Sequence, residues 1–299
     1  MSVGFRRCSV VLLALACAQK SSPPPAPAEQ EPDAAAPAVK TPDANRPLER
    51  DSAPPSPDLT VASDLAAAPD QAAPPDVAPT TGPAAILIYT RADAFVHDTR
   101  GTAAMAIKKA LAPLGVTATI SEDPALISAE KLAPLAGVVL IDNTGKPFGD
   151  PGTAAIAALG AFVRAGHGLV GIHAATSGYD GVPGYIGLLG GHFKEHPGGV
   201  RLGHCQPMGS FPSVAKLPAT FALEDEFYVF DQYDETNQVD LRCDALGSTT
   251  KLPISWHRAE GAGRVFYSAL GHNAAEWSDP KILDDHVVPG ILWALNRGP

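Results

Sequence analysis

The chain has 299 residues, 22 Lys and Arg against 32 Asp and Glu, and a net charge of −10 at neutral pH. With no basic stripe and no interleaving of basic and aromatic residues, this balance speaks against nucleic acid as a partner. The same sequence contains no G-x-G-x-x-G opening the helix after its first strand and no G-x-x-x-x-G-K-S/T anywhere, so dinucleotide and P-loop sites are not expected.

Arg6 and Arg7 precede an apolar stretch, Cys8 to Ala16, that is too short to span a bilayer and ends Ala14-Leu15-Ala16-Cys17. The pattern predicts an export signal over residues 1–17. It reads either as a lipobox, with Cys17 lipidated and becoming the mature N-terminus, or as an A-x-A cleavage site after Ala16. Residues 18–82 hold 15 of the 30 prolines and no aromatic residue. Such a segment buries too little apolar surface to offset its chain entropy and is expected to be a disordered, partly extended linker. Residues 83–299 carry all nine histidines and all three tryptophans, which predicts one domain. This organisation predicts an exported domain, either a lipoprotein touching a membrane only through its N-terminal lipid anchor or a free periplasmic or extracellular protein.

Ala85 to Thr90 is a continuous apolar run and predicts a central parallel strand. The loop RADAFVHD carries His97 to the start of a helix over Thr99 to Leu114, which Gly115 ends. Val116 to Ile120 predicts a second strand, Ser128 to Leu135 a short helix, and Gly137 to Ile141 a third strand followed by DNTGKPFGD. A helix over Pro151 to Ala165 leads into a fourth strand, Leu169 to Ile172, and then His173. Strands alternating with helices of this length predict an α/β, doubly wound, mostly parallel sheet.

After Tyr179 the pattern turns Gly-rich and irregular, and His192 and His196 fall in a turn or helix end. Ala219 to Leu223 runs into an acidic stretch in which Glu224 and Asp225 read as a solvated turn. Ile254 to His257 and Arg264 to Leu270 predict late strands, and Asp284 to Asn296 a closing helix with Trp293 packed on the sheet. His286, at the start of that helix, and His167 are expected at the surface. Cys205 and Cys243 read either as a disulfide in an oxidising compartment or as two separate buried thiols.

Ligands of open α/β sheets sit outside the carboxyl ends of the strands. His97, His173 and His272 all follow predicted strands, so the topology brings three imidazoles to one edge, with Glu226 and His196 as further members. Imidazoles gathered there serve proton transfer or hold a divalent metal.

The segments FVHD, LIDNTG, GAFVRAGHGLVGIHAAT, LLGGHFKEHP, DEFYVF, ISWHRAEGAGRVFYSALGHN and GILWAL resemble, in order and spacing, the ThuA-like family named for trehalose utilisation. The resemblance spans residues 84 to 297. It implies a flavodoxin-like sheet related to class I glutamine amidotransferases. Those enzymes carry a nucleophilic Cys where this chain has His173, so a thioester route is excluded. The resemblance also implies action on sugars, especially 3-keto glycosides, and carries over His97, His173, His196, Glu226 and His272, with Trp256 and His257 near the site. Phe227 stands where many relatives have Trp. For Trp256, stacking on a sugar face and core packing are both open.

The chemistry that follows is elimination of an aglycone across C1 and C2 of a 3-keto sugar. His97, His173 and His272, with Glu226 alongside, would hold a divalent metal, and His196 would act as base. Two function classes result: a metal-assisted lyase, hydrolase or isomerase on a sugar or keto-sugar, and a non-catalytic, surface-tethered carbohydrate-binding module.

Overall fold

Residues that alternate between two buried faces build the centre of the molecule. In β1 (Ala84–Tyr89), Ile86 and Ile88 face one apolar cluster while Leu87 and Tyr89 face another. The same split divides Val139 and Ile141 from Val138 and Leu140 in β3 (Gly137–Ile141), and Val170 and Ile172 from Leu169 in β4 (Gly168–Ile172). A strand buried on both faces needs helices on both sides, which is the doubly wound arrangement. The computed structural model describes residues 78–245 and 248–298. The signal, Cys17 and most of the linker lie outside these residues.

With β2 (Val116–Ser121) and β11 (Gly263–Ser268), the strands above pair in parallel in the order β2-β1-β3-β4-β11. This is the strand order of flavodoxin-like sheets. Helices α1 (Arg100–Leu111) and α6 (Val288–Ala294) pack on one face; α3 (Thr153–Arg164) and α4 (Pro183–Leu189) cover the other. Between them in sequence lie the short α2 (Ala129–Leu132) and α5 (Pro280–Ile282). No described helix is long and apolar enough to cross a membrane.

The sheet does not stop at β11. It continues antiparallel through β10 (Leu252–Glu260), β9 (Gln238–Ala245), β6 (Val200–Pro207) and β7 (Phe221–Glu226). A separate ribbon pairs β5 (His192–Glu195) with β8 (Val229–Asp231). In the Gly-rich stretch expected to be irregular, the structure places α4 and β5, with His192 opening that strand rather than lying in a turn or helix end; beyond it lies the antiparallel wing. Its strands have one weakly apolar face and interrupting glycines and prolines, so no continuous apolar run announces them. The Cys205–Cys243 pair is a disulfide joining directly opposed residues of β6 and β9.

His286, expected at the surface, is fully buried. Its Nδ1–H donates to the Ser213 carbonyl at 2.8 Å, and Nε2 accepts from the Ser268 hydroxyl at 2.9 Å. Burial lowers its pKa from 6.5 to about 4. Between those values the unfolded chain binds more protons than the folded one. The stability contributed by the neutral ring is thus complete above pH 6.5 and is lost as pH falls through about 4. On acidification across that window the wild type is expected to lose about 3 kcal/mol more than His286→Gln, read from urea midpoints. Buried carboxyls pull the other way but are common to both proteins. Equal pH slopes in the two would refute the assignment.

Candidate functional site

The carboxyl ends of the parallel strands meet at one edge, and the backbone there takes unusual turns. Asp142 follows β3 with φ 56°, and His173 follows β4 with φ 49°. Left-handed backbone at residues other than glycine costs about 1–3 kcal/mol and collects at functional sites. Beyond β11, Gly271 takes φ 133°, where a Cβ would meet the Trp277 ring at 2.7 Å, and this turn delivers His272.

His97, His173, His272 and Glu226 each offer a donor atom within 4.8 Å of the others. The imidazole centroids lie 4.8 Å apart for His97 and His173, 5.6 Å for His97 and His272, and 5.4 Å for His173 and His272. The Ala269 carbonyl accepts from His173 Nδ1 at 2.7 Å, so the proton sits on Nδ1. His173 Nε2 then accepts from the Tyr228 hydroxyl at 2.8 Å and lies 3.6 Å from Glu226 Oε2. Burial, then the neighbouring His97, holds the His173 ring well below its ordinary pKa. Burial and His272 hold His97 at about 4. Both rings are neutral at pH 7, the form that binds a metal.

A cation fits these residues on their own geometry. The buried Nδ1 atoms of His97 and His272 lack hydrogen-bond partners among the described residues. His272 Nδ1 does lie 3.2 Å from Glu226 Oε2, but without hydrogen-bond alignment. Three imidazoles and a carboxyl group converging this closely form a donor set suited to a divalent transition metal or zinc. An ion on His173 Nε2 would displace the Tyr228 hydrogen bond.

Asp225 supports the cluster from behind. It is fully buried rather than part of a solvated turn. Its Oδ1 accepts from the backbone N–H of Glu226 at 2.7 Å and of His272 at 3.3 Å, and its Oδ2 from Gly271 at 3.0 Å. One carboxyl thus ties the end of β7 to the loop after β11. Burial, and Glu276 beside it, raise its pKa well above the carboxylate range. Asp142, whose Oδ1 is 3.9 Å from His97 Nδ1, is raised by burial to about 7.

The cluster opens into a cleft of about 570 Å³ whose walls include Phe95, Thr144, His192, Phe193, His196 and Tyr228. That volume lies within the usual range for a small-molecule site. His196 Nε2 lies 3.7 Å from Glu226 Oε1, and its ring is stacked beside Tyr228.

Trp256 and His257 lie apart from this cleft. Trp256 is fully buried and its Nε1–H donates to the Leu189 carbonyl at 2.8 Å, so it packs the core and offers no face to a sugar. His257, its neighbour on the opposite face of β10, bonds Asp240 at 2.7 Å and stacks on Phe211. Sequence reasoning missed Asp142, Asp225, Tyr228 and Asp231. Asp142 was within reach, because it is the first residue past a predicted parallel strand. The other three depend on the antiparallel wing and the ribbon.

A family model described as ThuA, trehalose utilisation, matches residues 85–294. Among solved structures, a ThuA-like protein from Bacteroides uniformis gives a TM-score of 0.56 at 20% identity, covering 74% of this chain and 93% of its own. A ThuA-like protein from Parabacteroides merdae gives 0.52 at 19% identity, covering 71% and 90%. At these identities the likeness is one of fold. No curated protein matches the chain.

Proposed function

The chain belongs to the trehalose-utilisation (ThuA) family, and from that premise we propose that it is an exported, metal-assisted lyase or hydrolase acting on 3-keto glycosides. One observation carries the reading: His97, His173, His272 and Glu226 converge within 4.8 Å at the base of a sugar-sized cleft. A divalent cation held by these four would supply Lewis acidity toward a ketone oxygen.

The chain's own residues supply the rest. A ketone at C3 acidifies the C2 hydrogen. His196, on the cleft wall beside the cluster, takes that proton. The C–H electron pair forms the enediolate, which collapses to a C1–C2 double bond as the C1–O bond breaks and the aglycone leaves with its oxygen. Tyr228, kept protonated by burial, is a neutral hydrogen-bond donor at the same point. Phe95 and Phe193 give the cleft aromatic walls that suit the apolar face of a pyranose.

Export is supported by the Cys205–Cys243 disulfide, since such bonds persist in oxidising compartments. The Arg6-Arg7 start, the apolar run and Cys17 fit a lipid-anchored form of the same domain. Purified protein is expected to turn over a 3-keto glucoside and to lose that activity in excess chelator, regaining it with added zinc, manganese or nickel. Tight sugar binding with no turnover under any metal would instead support a carbohydrate-binding module.

A further inference from the structure

His192 and His196 come from one short segment, HFKEH, yet they face different carboxylates. His196 Nε2 points toward Glu226 and the cluster. His192 is turned away from it: its Nδ1 meets Asp231 Oδ1 at 2.9 Å, and its Nε2 lies 3.8 Å from Asp180 Oδ1. The Asp231 contact is built into the fold, because His192 and Asp231 are directly opposed residues of the β5–β8 ribbon. A carboxylate accepting from Nδ1–H fixes the tautomer and leaves Nε2 as the working nitrogen. His192 lines the same cleft as the cluster and is itself 8% exposed. Asp180, by contrast, has its side chain 88% exposed at the rim, and Asp231 is half exposed.

Elimination from a glycoside needs two proton transfers at two places: one off carbon beside the ketone, one onto the departing oxygen. The cleft wall carries two histidines, His192 and His196, that face different carboxylates. We propose that His192 is the general acid that protonates the leaving aglycone oxygen, with Asp231 positioning its ring; this rests on the glycoside reading above. The imidazolium gives its Nε2 proton to the oxygen as the C1–O bond breaks, so the aglycone departs as a neutral alcohol and His192 is left neutral. Water at the exposed Asp180 side of the ring returns the proton. His196, which receives the C2 proton, stands on the cluster side and works independently. Assigned this way, the inner histidine governs carbon acidity and the outer one governs the leaving group.

Two 3-keto glucosides separate these roles. A p-nitrophenyl aglycone leaves readily without protonation, whereas a methyl aglycone does not. His192→Ala is expected to lower turnover of the methyl glycoside about 10²–10⁴-fold and that of the nitrophenyl glycoside far less. His196→Ala should lower both alike. Asp231→Asn should shift the ratio of the two rates in the same direction as His192→Ala, with Asp231→Glu recovering part of the shift. Added imidazole should restore methyl-glycoside turnover in His192→Ala. Should that variant be unstable, His192→Gln keeps the side chain's bulk without the acid. Equal losses on both glycosides, with the wild type active, would overturn the role of His192 and leave the glycoside reading standing. A wild type that turns over neither glycoside, with metal restored, would sink both.

Discussion

The parent is expected to bind about one divalent cation per chain, and His173→Ala and His272→Ala, made singly, are each expected to abolish its retention. The reason is geometric. His173 is fully buried, its Nδ1 is committed to the Ala269 carbonyl, and only Nε2 faces the other donors. His272 contributes a buried Nδ1 that lacks a hydrogen-bond partner among the described residues. Losing either leaves two imidazoles and a carboxylate in a pocket shaped for more. Turnover of a 3-keto glycoside should fall by at least about 10²-fold in each variant. His167→Ala is the contrast: that ring stacks on Phe162 at the opposite end of β4 and should change neither readout. Metal analysis of the purified proteins by mass spectrometry decides the matter. If the parent holds no metal after reconstitution with zinc, manganese and nickel, Lewis-acid assistance is wrong. Acid–base chemistry by the histidines alone would then have to carry the reaction.

Removing the disulfide should produce the largest change in stability. The Cys205→Ser, Cys243→Ser double variant is expected to lose about 2–4 kcal/mol, because the bond closes a loop with a sequence separation of 38 residues. For a domain of this size that corresponds to a fall in Tm of roughly 5–15 °C. Both cysteines are buried between β6 and β9, so the two serine hydroxyls in their place would be taken out of water and depend on each other for a hydrogen bond. The same bond holds the wing that carries Glu226, so metal affinity should weaken along with stability. Chemical denaturation of the double variant beside the oxidised parent tests both effects. An unchanged midpoint would show that strand pairing alone holds the wing.

Several parts of this protein were legible from residues alone. Runs such as AILIY, GVVLI and GLVGI announce parallel strands because a strand buried on both faces must be apolar at every position. Their alternation with helices led to the doubly wound sheet, and the rule that ligands meet the carboxyl ends of such strands singled out His97, His173 and His272. Glu226 and His196 entered through motif order and side-chain type, and their proximity to the imidazoles is a fact of the folded chain.

Only the tertiary structure decided the rest. Asp225 looks like one more acid in a charged run, yet it is buried as the clamp between Glu226 and His272. Trp256 and His257 are adjacent to each other in a motif and distant from the cleft. The Cys205–Cys243 bond and the His192–Asp231 pair each join residues brought opposite one another by strand pairing. Local pattern reports whether a residue is apolar and how often its neighbours are. It carries no record of which residue of a distant strand will stand across from it, because antiparallel register is set by packing and turn geometry over the whole sheet.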